Sequence, residues 1–209
     1  MADYMHSDEE NIERIKQWFI ENGLMTLVVI VLAIGGTVGW RVWQNHRQEV
    51  AADASQVYEN MMTALSAGSN DKASAAANSL IKDYSGSTYA DYAHLLLAKL
   101  AVEGNDLKGA VTQLKTVAED PAVDELGYTA RLRLARVYIA QGNLDAAEKL
   151  VSGTFPKAWQ GSALELKGDV ALAQHKDSAA RDAYITALDL MQGGADRDRV
   201  QMKLDNLNG

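Results

Sequence analysis

The sequence predicts an all-α chain: an N-terminal single transmembrane helix, then a solenoid of helical hairpins, then a C-terminal capping helix. Three observations predict it. Leu24 to Trp40 is a run of seventeen residues without a charge. The remainder is rich in alanine and leucine, with two prolines in 209 residues and 7% aromatics, a composition that favours helix over strand. Within that remainder small residues recur in pairs twelve positions apart, and the pairs themselves recur at intervals of 37 and 33.

At 1.5 Å per residue the uncharged run is about 26 Å long, and Asn22, Gly23 and Trp43 bring it close to the ~30 Å of a bilayer's hydrocarbon. No face of it carries anything more polar than Thr26 and Thr37, whereas a core helix of a soluble protein normally keeps a polar stripe. A cleaved signal peptide is the alternative. Against it stand an apolar part longer than the usual ~7–15 residues, an acidic segment ahead of it where a signal is basic, and an A-x-A-like site, Ala52-Asp53-Ala54, that lies too far beyond Trp43. Trp40 and Trp43 fall where interfacial aromatics belong, with Arg41 and Arg47 among them able to reach headgroups, so Trp40, Arg41 and Trp43 are the expected membrane anchors. Gly35 and Gly39 have the GxxxG spacing that lets a second helix come close, and form the expected helix-contact face; chance is the other reading, because glycine is common in spans. Charge does not orient the span, since Arg14 and Lys16 on one side balance Arg41 and Arg47 on the other.

Residues 1–21 form an acidic tail. Ile12, Ile15, Trp18 and Phe19 recur at helical spacing, which predicts a short amphipathic helix on the membrane surface with Ser7 as N-cap and Glu10 closing a capping box; a partner-binding acidic tail is the alternative. Residues 22–46 are the span and its interfacial collar, and 47–209 the repeat domain. Beyond Trp43 the helical pattern continues through Val50, Ala54, Val57, Tyr58, Met61, Met62 and Leu65 to a turn at Gly68-Ser69-Asn70-Asp71, so the span is expected to run on into the first helix of the domain.

The repeats are read from alignment of the chain with itself. Leu97-Ala98, Ala101, Leu107, Ala110 and Leu114 match Leu134-Ala135, Tyr138, Leu144, Ala147 and Val151; Gly168, Ala171, Ala180 and Tyr184 form a third copy. Ala98, Ala135 and Gly168 each stand twelve before another small residue, Ala110, Ala147 and Ala180. In a hairpin of this length those are the points where the antiparallel helices touch. Gly104-Asn105-Asp106, Gly142-Asn143 and His175-Lys176-Asp177 supply the turns. A worn earlier copy is expected over residues 51–85, on Ala64 and Ala76, and Asp196 to Leu207 reads as the capping helix. The spacing resembles the tetratricopeptide repeat, although the proline expected near each repeat's end appears only as Pro121.

Several function classes fall away. Residues 50–209 carry 16 Lys and Arg against 21 Asp and Glu, a net of −5 in a chain of −8, which offers nucleic acid no electrostatic footprint. No cysteine is present, which removes disulfides, thiol chemistry and a lipidated N-terminal cysteine. His94, with Asp91 at i−3, has no third member to make a catalytic constellation, and His6, His46 and His175 are scattered. No catalytic, cofactor or metal site is expected. Met61, Met62, Tyr58, Tyr138 and Tyr184 read first as packing residues, with a soft client-binding surface as the alternative.

The chain as a whole resembles the YfgM-type ancillary subunit of the bacterial SecYEG translocon. The resemblance runs from Trp18-Phe19-Ile20-Glu21-Asn22-Gly23 through Gly39-Trp40-Arg41-Val42-Trp43 with His46, and Leu132-Arg133-Leu134-Ala135-Arg136-Val137, to Gln201-Met202-Lys203-Leu204-Asp205-Asn206-Leu207. It implies a single-pass protein of the bacterial inner membrane with a cytoplasmic N-terminus and periplasmic repeats. It also implies three partners: the translocon, a membrane-anchored periplasmic chaperone of prolyl-isomerase-like type, and exported polypeptides that the two would escort. The alternative is a structural scaffold for another cell-envelope complex.

Overall fold

The computed structural model describes residues 3–207, with side chains from Asn11 onward apart from that of His46. Ser7 and Glu10 of the expected capping box, with His6 and His46, lie outside the described side chains. Among the described residues there are nine helices and no strand: α1 (Asp3–Ser66), α2 (Asn70–Asp83), α3 (Thr88–Glu103), α4 (Leu107–Glu119), α5 (Asp124–Ala140), α6 (Leu144–Val151), α7 (Lys157–Ala173), α8 (Asp177–Leu190) and α9 (Ala195–Asn206). The chain divides into two compact units, Met1–Ala52 and Asp53–Gly209. Ile12, Ile15, Trp18 and Phe19 lie on the same helix as the apolar run.

In the second unit the end of α1 pairs with α2, α3 with α4, α5 with α6, and α7 with α8, while α9 closes the series. Each apolar cluster joins one hairpin to the next. Ala54 and Met61 of α1 pack with Ala73, Ala77 and Leu80 of α2 and with Ala93 and Leu96 of α3. Leu114 and Val117 of α4 meet Leu134 and Val137 of α5; Leu132 and Ala135 meet Phe155 and Leu166. Such a core is a chain of nearest-neighbour contacts, as expected of a solenoid. Val200 of α9 is fully buried against Tyr184 and Leu188 of α8, so α9 is the cap that covers the last apolar face.

The small residues behave as their spacing predicts. Ala110, Ala135, Ala147 and Ala180 have no exposed surface and Ala98 almost none. At Gly168 a Cβ would sit 2.4 Å from Cε1 of Tyr184. The first repeat is different from its expected form. Ala64 and Ala76 are only partly buried, and the positions equivalent to Ala98 and Ala110, 37 residues earlier, are Met61 and Ala73, both buried. A methionine at the contact point is why the copy looks worn. Met62, by contrast, is exposed and is not a packing residue.

The turns explain this register. Gly68, Asn105, Gly142 and His175 all have positive φ, between 60° and 71°, and each lies five residues before the small residue of the following helix. Each ends its helix in the same way: Ser69, Asp106, Asn143 and Lys176 donate backbone N–H bonds to Ala64, Ala101, Tyr138 and Ala171, the six-to-one bond of a Schellman cap. Asp106 and Asn143 then cap the following helices by accepting from Gly109 and Ala146.

Candidate functional site

Two surfaces qualify, one in each unit. In the first unit, α1 is the only helix among the described residues that is long and apolar enough to cross a membrane. Its most apolar stretch has a mean hydropathy of 2.1 and is 0% buried. The hydroxyls in this stretch are satisfied within the helix. Thr26 donates to the Asn22 carbonyl at 2.9 Å, and Thr37 to Ala33 and Ile34 at 2.9 Å each, which removes the cost of an unpaired donor in hydrocarbon. The ring pairs Trp18–Phe19 and Trp40–Trp43 have centroids 5.5 and 5.1 Å apart. They bracket the apolar run: Phe19 to Trp40 spans about 32 Å of helix, one hydrocarbon thickness. The Arg47 guanidinium stacks 4.8 Å over Trp43, and Arg41 is exposed. Nothing lies within 4 Å of a Cβ built at Gly35 or Gly39, so their face of the helix is open.

In the second unit a groove of ≈ 390 Å³ lies between α3 and α5, with α4 as its floor. The wall is apolar, from Leu95 and Val102 of α3, Leu107 and Leu114 of α4, and Val137 of α5. Charges ring it. Lys99 pairs with Glu103 on its own helix at 3.6 Å, and Arg133 and Arg136 follow one turn apart on α5. Arg136 reaches the Glu165 carboxylate at 3.8 Å. Among the described residues Arg133 makes no ion pair or hydrogen bond, and burial, with repulsion from Arg136, lowers its pKa.

A third group of polar residues sits under α9. Glu165 of α7, 1% exposed, accepts from Arg199 and from Lys203, whose ammonium also bonds Asp169. Burial pushes the Glu165 carboxyl up, but the Arg199 and Lys203 bonds outweigh it and hold the group at about 2. Tyr184 donates to Asp169 at 2.7 Å; burial first, then that carboxylate, raises its pKa. These are bonds between α7, α8 and α9 that fasten the helices to one another.

His94 bonds Gln113 at 2.6 Å, while Asp91 accepts from the backbone N–H of Ala122 at 2.8 Å. Among the described residues no group of three or more His, Cys, Asp or Glu converges as a metal site. The structure brings the expected anchors Trp40 and Trp43 together and leaves Arg41 apart from them. Sequence reading missed the groove and the Glu165 cluster. The signal for the groove was Arg133 and Arg136 at i,i+3 between small and apolar neighbours; Glu165 gave none, because its hydrogen-bond partners Arg199 and Lys203 lie 34 and 38 residues away.

Stacked two-helix repeats that follow an exposed apolar helix in the sequence define a tetratricopeptide-type repeat protein, and residues 16–209 match the tetratricopeptide repeat-like domain family. The chain is 31% identical over 202 residues to the ancillary SecYEG translocon subunit of Escherichia coli (strain K12), covering 97% of each chain. It is 32% identical to the protein of the same name from Aggregatibacter actinomycetemcomitans, over 98% of this chain and 99% of the relative. The Haemophilus influenzae relative is 29% identical, with 98% and 99% covered. The chain therefore belongs to the family of YfgM-type ancillary SecYEG translocon subunits. No solved structure gives a significant match.

Proposed function

We propose that this protein is a membrane-tethered interaction module at the Sec translocon that assists periplasmic chaperones with newly translocated proteins. The observation that carries the reading is similarity along nearly the whole chain, apolar helix and repeats alike, to relatives named as ancillary translocon subunits. In this reading α1 crosses the inner membrane once, with the N-terminus cytoplasmic and the repeats periplasmic. The open face at Gly35 and Gly39 takes a neighbouring helix, while Trp40, Arg41 and Trp43 fix the depth of the span. The repeats recognise a membrane-anchored prolyl-isomerase-like chaperone and exported chains, and carry no chemistry of their own. Tethering holds them at an effective concentration on the order of millimolar beside the exit, so weak affinity is sufficient.

The test is photo-crosslinking in cells during export, from a probe at Gly35 or Gly39 and from a second on a repeat helix. Adducts with translocon subunits from the span, and with exported chains or a chaperone from the repeats, support the reading. One unrelated stoichiometric partner from both positions would favour a scaffold for another envelope complex.

A further inference from the structure

We propose that the groove between α3 and α5 is a docking site for a partner segment that presents an apolar side chain with a carboxylate beside it. This deepens the reading of the repeats as a recognition surface and rests on it. Three observations carry the inference. The first is size: ≈ 390 Å³ lies within the range of sites that bury a small ligand or an anchoring side chain, ~300–1,000 Å³. The second is the wall, apolar from Leu95 to Val137, with Val102 still 44% exposed at its lip.

The third is charge. The repeats are acidic overall, yet the rim of this groove is basic. Lys99 is neutralised by Glu103, and Arg136 faces Glu165. Arg133 has neither partner, and desolvation and a like charge one turn away disfavour its cation. An incoming carboxylate offsets the repulsion from Arg136 and supplies the counter-charge that Arg133 lacks, because a guanidinium pairs with it through two parallel hydrogen bonds. The groove is open to solvent, which suits a side chain carried on a peptide backbone; an alkyl tail would be left partly in water. The occupant is therefore an acidic, apolar peptide segment and not a fatty acid.

The experiment uses the full-length protein in nanodiscs and a fluorescein-labelled twelve-residue peptide with two leucines flanked by aspartates. Companion peptides replace the aspartates with lysines or the leucines with serines. Empty nanodiscs and oleate competition are measured alongside. The leucine–aspartate peptide is expected to bind in preference to both companions and to weaken as salt is raised. Arg133→Glu is expected to weaken it about tenfold and to give the lysine peptide the advantage. Arg133 is at the surface, so the thermal unfolding curve of the variant stays that of the parent; Val102→Asp provides a second, independent block. Equal binding of aspartate and lysine peptides, no effect of Arg133→Glu, no binding above empty nanodiscs, or full displacement by oleate would each overturn the proposal. Crosslinking from Gly35 to the translocon does not depend on Arg133, so the tethering reading is judged separately.

Discussion

Arg199 holds Glu165 through two parallel hydrogen bonds, Nε to Oε1 at 2.8 Å and Nη2 to Oε2 at 2.7 Å, across 34 residues of sequence. The carboxylate is buried and the guanidinium is at the edge of solvent. Lys203 adds a third bond at 2.7 Å. The last helix is therefore fastened to α7 by charge while Val200 fastens it to α8 by burial, two contacts of different kind on neighbouring faces of α9.

This cluster sets an acid limit on the cap. Unfolded, the Glu165 carboxyl titrates near 4.5; folded, it titrates at about 2. A lowered folded pKa means stability that is complete above the unfolded value and lost as pH falls through the folded one. Here that amounts to about 3 kcal/mol between pH 4.5 and pH 2. Glu165→Gln is expected to lower stability by a similar amount at pH 7, because Arg199 and Lys203 keep their charges without their partner. Thermal unfolding of both proteins in nonionic detergent reads the result: a wide gap in Tm at neutral pH that closes towards pH 2. A gap independent of pH would show that the pair is held by something other than its charge.

Gly168→Ala tests the contact point of the last hairpin. The substitution improves helix propensity by about 1 kcal/mol, and on an open face would stabilise. Here the new Cβ would stand 2.4 Å and 2.6 Å from two ring carbons of Tyr184. That ring is fully buried, and its hydroxyl is tied to Asp169, so it cannot swing aside. Overpacking of this kind costs about 1–3 kcal/mol, and a net loss is expected. In Tyr184→Leu, which removes the obstructing edge, the added Gly168→Ala is expected to cost far less. Equal cost in both backgrounds would place the clash elsewhere.

How much of this was legible in the sequence depends on distance along the chain. The hairpins were legible because their contact points are small residues at fixed spacing, and the apolar helix because no charge interrupts it. The first repeat was misregistered by three residues: Ala64 and Ala76 imitate the pattern, while Met61 fills the point that alanine or glycine fills elsewhere. The left-handed turn position was equally disguised, since Asn105 and His175 hold it where Gly68 and Gly142 do in the other turns. Glu165 reads as an ordinary surface carboxylate until α9 folds over it, and the groove exists only once two helices from different hairpins lie side by side. Contacts of that range leave no local periodicity.

Asp91 gives the last prediction, and its sign is opposite to that of Glu165. The residue is 5% exposed and its carboxylate accepts the Ala122 N–H at 2.8 Å, tying the connection between α4 and α5 back to α3. Burial raises its pKa; the Ala122 bond and the nearby His94 oppose this without cancelling it, and Asp120 adds to it. A raised folded pKa means that the ionised group costs stability at neutral pH and that the cost disappears as pH falls and the group takes up its proton. Asp91→Asn keeps an oxygen for Ala122 and carries no charge. It is expected to be more stable than the parent at pH 7, with the advantage shrinking as pH is lowered towards the usual carboxylate range. Asp91→Ala removes the acceptor and leaves the Ala122 N–H without its partner, at a loss of about 1–2 kcal/mol. Tm measured for the three proteins from pH 7 to pH 4 separates the contributions. If Asp91→Asn is destabilised as much as Asp91→Ala, the negative charge, and not the hydrogen bond, is what holds the α4–α5 connection in place.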